Sequence, residues 1–89
     1  SWEGVDPGLF ESLRILRREI ARERNLPAYV LLSDATLRAM ARLRPGSPAA
    51  LLRVRGVGER KLADFGQRFL EVIVTYCRAN RLPLDVTAN

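Results

Sequence analysis

Eighty-nine residues, of which 47% are hydrophobic, 28% charged and 7% aromatic, make one small domain with an ordinary apolar fraction, which excludes an intrinsically disordered tail. No apolar run reaches the roughly 18 residues of a membrane span and no signal peptide opens the chain; the start at Ser1-Trp2 reads as a piece cut from something longer. Fifteen basic residues, fourteen of them arginine with Lys61 the exception, face ten acidic ones and leave a charge of +5, which points either to an anionic partner, nucleic acid first, or to a merely solubilising surface.

The first helix is expected at Asp6-Pro7, where Asp6 caps free backbone N–H groups and proline suits the opening position. Leu9, Leu13, Leu16 and Ile20 then form one apolar stripe. Arg14, Arg18 and Arg22 fall on the opposite, solvent-facing side, with Glu19 and Glu23 among them to dilute the positive field. Asn25 and Pro27 end the helix. Residues 26–32 are apolar but too short for a helix of their own and read as a crossing loop that tucks Val30, Leu31 or Leu32 inward. Ser33 caps a second helix with Asp34 in its first turn; its inward face is Leu37, Met40 and Ala41, and Pro45-Gly46 stops it. Ser47-Pro48 opens a short third helix to about Arg53, with Leu51, Leu52 and Val54 available for burial. Arg55-Gly56-Val57-Gly58-Glu59 is a tight turn in which Val57 can plug inward. A last helical stretch from about Glu59 to Ala79 carries Leu62, Phe65, Phe69, Ile73 and Tyr76, with Cys77 at the edge. Gly66 inside it marks a kink, a break into two helices or a close helix contact. Residues 83–89 read as a flexible tail and residues 1–6 as the end of a linker.

Catalysis finds little support. Gly56-Val57-Gly58 lacks the spacing of a phosphate-gripping nucleotide loop. Ser33, Ser47 and Cys77 have no histidine to activate them. The same absence of histidine, with one cysteine, excludes a Cys/His zinc site and an internal disulfide, and a lone thiol fits a reducing, cytoplasmic compartment. No cofactor or metal is expected.

The run Leu52-x-Val54-x-Gly56-Val57-Gly58-x-x-Lys61-Leu62 has the outline of a helix–hairpin–helix, whose glycines let a nucleic-acid backbone approach closely. The same turn would equally serve to join two packed helices. Taken with Asn25-x-Pro27-x-Tyr29-Val30, Ser33-Asp34-Ala35-Thr36-Leu37 and Phe65-Gly66-x-x-Phe69-Leu70-x-x-Ile73, the run resembles the HRDC (helicase and RNase D C-terminal) family, in the version found on bacterial RecQ DNA helicases. The resemblance covers about Leu9 to Ala79.

What it implies is an all-α, compact five-helix bundle that acts as an accessory nucleic-acid-binding module. Its partners would be single-stranded or junction DNA and the rest of an ATP-dependent helicase chain, with no membrane partner. The unit would be a monomer located in the cytoplasm at the nucleoid. The aromatic of the Pro-x-Tyr segment, here Tyr29, would stack a base, unless its ring packs into the bundle instead. Further candidate contacts are Arg55, Gly56, Gly58, Arg60 and Lys61 around the turn, plus Arg38 and Arg42 on the second helix. Two alternatives stand beside this reading. One is a protein-interaction or intramolecular docking module with an apolar patch at Trp2, Phe10 or Ile15. The other is an RNA-binding module of an RNase D-like ribonuclease.

Overall fold

The computed structural model describes residues 1–87. Asp6, in extended backbone, accepts the Leu9 N–H at 2.9 Å and Pro7 opens α1 (Pro7–Arg24). Asn25 ends α1 in the left-handed conformation at φ 55°. α2 (Ala28–Leu31) is a single turn of helix where the sequence reads as a loop. One turn is too short to show a periodicity, and its caps lack side-chain bonds. Leu31 and Leu32 enter the core, whereas Val30 is 49% exposed.

Ser33 caps α3 (Asp34–Leu43) by accepting the Thr36 N–H, and Ser47 caps α4 (Pro48–Leu52) through the Ala50 N–H. α4 also has little more than one turn, so Leu51 and Val54 point inward and Leu52 is left exposed. After the glycine turn, α5 (Glu59–Lys61), a π-helical stretch (Leu62–Gly66) and α6 (Gln67–Asn80) follow without interruption. Lys61, Leu62, Gly66 and Gln67 are all right-handed helical, so the three form one continuous rod whose hydrogen-bond register widens in the middle. Gly66 does not break the rod. It is a buried point of close packing, where a Cβ would lie 2.6 Å from Leu62 Cδ1 and 3.6 Å from Leu51 Cδ2. Counting the rod as one, five helical bodies make the all-α bundle expected from the sequence, and no strand occurs among the described residues.

α1 and α3 run antiparallel. The Asp6 N–H reaches the Ala41 carbonyl near one end, and Arg17 meets Leu32 and Asp34 near the other. The apolar stripe of α1, with Leu37, Met40, Phe69 and Ile73, forms the core. Each such side chain contributes about 1.5–3 kcal/mol by leaving water. Arg17 falls within the same stripe and is buried. Its Nη1 donates to the Leu32 carbonyl at 2.9 Å and pairs with Asp34 at 2.8 Å, which pins the junction between α2 and α3. Burial pushes the Cys77 thiol up and leaves it unreactive.

Tyr76 is half-buried, because its hydroxyl reaches back to the cap of α1. Packed against Gly8 in the first turn, the Tyr76 hydroxyl attracts the Asp6 carboxylate, which holds Asp6 below its ordinary 3.8 and Tyr76 above 10.0. The contact therefore stabilises the fold above about pH 4, and this part is lost as acid protonates Asp6 through its lowered value. At the alkaline end it is lost as pH rises through the raised Tyr76 value. Denaturant titrations across pH are expected to show both limbs in the native chain and shallower limbs in Tyr76→Phe; identical profiles would remove the contact's role.

The two chain ends differ from the expected loose segments. Arg42 donates to the Ser1 and Glu3 carbonyls at 2.9 and 3.0 Å, and Trp2 lies edge-on to Phe10 at 4.6 Å. At the other end, the Asp85 and Val86 N–H groups bond the Arg44 and Leu43 carbonyls at 2.8 and 2.9 Å, and Arg44 Nε donates to Pro83. Residues 83–87 thus lie back on the end of α3, where free carbonyls need donors. Residues 88 and 89 of the expected tail lie outside the described residues.

Candidate nucleic-acid interface

The glycine turn stands open to solvent. Arg55, Gly56, Gly58, Glu59 and Arg60 are exposed while Val57 is buried as the plug. The two glycines differ in kind. Gly56 adopts φ +96°, and a Cβ there would collide with Thr36 Oγ1. The buried Thr36 hydroxyl donates to the Arg55 carbonyl at 3.1 Å, tying the turn to the start of α3. Gly56 is thus demanded by the fold. At Gly58 the φ is −92° and a Cβ would meet nothing within 4 Å. Packing does not require a glycine there, and the side on which a Cβ would stand is open to solvent.

Between this turn and the α1–α2 corner runs an open groove of about 590 Å³. Gly56 and Gly58 line one side with Arg60 and Lys61; Arg24, Leu26 and Val30 line the other. Lys61 Nζ lies 3.5 Å from the Gly56 carbonyl and braces the turn. Arg24 sits over the Phe65 ring, 5.4 Å from its centroid, and pairs with Asp64 at 3.6 Å. Tyr29, next to Val30 on α2, has 76% of its surface exposed. Its ring is not packed into the bundle. An exposed aromatic face on the helix that walls a groove containing cationic side chains suits a flexible polyanion carrying planar bases.

Of the residues expected at the site, Gly56, Gly58, Arg60 and Lys61 line this groove, Tyr29 lies on the helix that forms its wall, and Arg55 stands in the turn itself. Arg38 and Arg42 are elsewhere. Arg38 lies 5.4 Å over the Trp2 ring and Arg42 holds the Ser1–Glu3 backbone. They are occupied by the amino-terminal segment, a partner some forty positions away that α3's own spacing does not reveal. The groove residues missed in the sequence are Arg24, Leu26 and Val30. An apolar run just after a helix-ending Asn25 was the available signal for the last two.

The docking alternative finds its apolar residues divided. Trp2 meets Phe10 edge-on and stays 56% exposed, while Ile15, 42% exposed, lines a separate groove of about 640 Å³ between α1 and α6 with Val72 and Ala79. Among the described residues no group of three His, Cys, Asp or Glu side chains is placed to hold a metal ion, and no helix is long and apolar enough to cross a membrane.

The HRDC domain family matches residues 6–73. The chain is 46% identical over 70 residues to the ATP-dependent DNA helicase RecQ of Bacillus subtilis, covering 79% of this chain and 12% of that protein. It is 42% identical over 69 residues to the ATP-dependent DNA helicase UvrD2 of Mycobacterium tuberculosis, covering 78% of this chain and 10% of the relative. Among solved structures, D. radiodurans RecQ HRDC domain 3 superposes with a TM-score of 0.74 at 41% identity, covering 76% of this chain and 90% of that one. The chain therefore spans only about a tenth of the length of the helicases it resembles, as an accessory segment and not a catalytic one. Helix order, bundle and sequence agree over the same stretch, and the chain belongs to the HRDC family.

Proposed function

We propose that this HRDC domain is the accessory DNA-binding module of a RecQ-like ATP-dependent helicase, and that it holds single-stranded or junction DNA in the groove beside the glycine turn. Tyr29 stacks a base, the Gly58 backbone receives a phosphate, and Arg55, Arg60 and Lys61 supply charge. The observation that carries this reading is the 76% exposure of Tyr29 on α2, the helix whose Val30 and Leu31 line the groove of cations and glycines. An aromatic ring held in water offers a planar face on which a base can stack. The relatives named above are DNA helicases, which favours DNA over the RNA of a ribonuclease.

The test is fluorescence anisotropy with a labelled single-stranded oligonucleotide. Tyr29→Ala is expected to weaken binding by about 1–3 kcal/mol, roughly five- to 150-fold, with the melting temperature unchanged. Unchanged affinity, or a loss of folding, would overturn the stacking role. A chain that fails to bind at tens of micromolar in low salt would leave docking through the Ile15 groove as the better reading.

A further inference from the structure

α1 sorts its charges by direction. Glu23 forms a two-pronged pair with Arg68 on α6, at 2.7 and 3.0 Å, and Glu19 lines the α1–α6 groove beside the same arginine. Both carboxylates face away from α2. Arg14 is neutralised by Glu11 at 2.9 Å through its Nε, Arg17 by Asp34, and Arg24 by Asp64. Arg18 and Arg22, one turn apart, are exposed, and among the described residues no hydrogen bond or ion pair engages either of them. The two arginines line a hollow of about 500 Å³ floored by Asn25, Leu26 and Pro27. Leu26 also lines the glycine-turn groove, so the two depressions lie on either side of this residue at the α1–α2 corner.

We propose that Arg18 and Arg22 form a second phosphate-binding subsite, and that a single DNA strand passes from the glycine turn over the α1–α2 corner onto them. This rests on the reading of the turn groove given above. A base stacked on Tyr29 leaves its flanking phosphates on either side of α2; cations await on both sides only if Arg18 and Arg22 are included. Their lack of protein partners, where their neighbours on α1 are all paired, leaves them free to exchange counterions for phosphates.

Titration of labelled oligothymidylate across a range of salt separates the two claims. Arg18→Gln/Arg22→Gln is expected to bind about tenfold more weakly at low salt. Its slope of log affinity against log salt should be shallower by about 1.4, or 0.7 for each lost contact on a single strand. Both positions are exposed and glutamine is a good helix former, so the melting temperature should not move. The control is Arg78→Gln/Arg81→Gln, two exposed arginines at the end of α6 near the α1 cap, which should keep the native slope. Native slope and affinity in the Arg18/Arg22 pair, with Tyr29→Ala still impaired, would overturn the subsite and leave the groove reading intact. An equal loss in the Arg78/Arg81 control would overturn it as an effect of net charge. No binding by the native chain would overturn both.

Discussion

Gly56→Val is expected to destabilise the domain by about 3 kcal/mol or more and to lower its melting temperature by upwards of about 12 °C. A β-branched residue at φ +96° is strained by about 1–3 kcal/mol. Its Cβ also strikes Thr36 Oγ1, whose bond to the Arg55 carbonyl is then broken or displaced. Thr36 is buried, so neither its hydroxyl nor the carbonyl recovers a water partner easily. The neighbouring Gly58→Ala supplies the contrast, because its Cβ projects into open space. Its stability should stay within about 0.5 kcal/mol of the native chain, while single-strand binding weakens if a phosphate approaches that backbone. Thermal melts and anisotropy on the pair decide the matter. A native melting temperature for Gly56→Val would contradict the described turn, and native affinity for Gly58→Ala would remove the close approach.

Phe69→Ala is expected to cost about 3–5 kcal/mol, a large part of the total stability of a domain this small. Phe69 is 1% exposed, and its ring meets Phe65 at 5.7 Å between centroids. Removing it leaves a void that Phe65 can tilt to fill. Phe65 is also the ring on which Arg24 rests and part of the groove floor. The variant should therefore bind single strand more weakly even at a temperature where it remains folded. Denaturant unfolding followed by anisotropy at low temperature checks both parts. A destabilised variant with native affinity would show that the groove does not depend on the ring beneath it.

Most of the bundle was legible in the sequence because it is built from local rules. Asp6-Pro7, Ser33 and Ser47-Pro48 begin helices where capping chemistry places them. The four apolar residues of the first stripe are all buried. What escaped depended on contacts between distant residues or on elements of a single turn. Periodicity needs more than the four residues of α2, so the helix and the outward Val30 were invisible. Arg17 occupies a position four after Leu13 and three before Ile20, so its burial could have been read from the wheel. Treating arginines as surface by type concealed it. At the site, the turn and Tyr29 were legible as motif residues, but the difference between the two glycines was not. It depends on Thr36, twenty positions earlier, which lies against one glycine and not the other. The distance of Arg38 and Arg42 from the groove has the same origin, since the amino-terminal segment engages them through space.

Both ends of the described chain are fastened to the last turn of α3, by Arg42 on one side and by the Leu43 and Arg44 carbonyls on the other. The glycine-turn groove sits at the far end of α1, whose 18 residues span about 27 Å. Tension between the flanking segments is then carried across one corner of the bundle and does not pass through the groove. A load applied at these two fastened ends would leave the groove facing outward and undistorted.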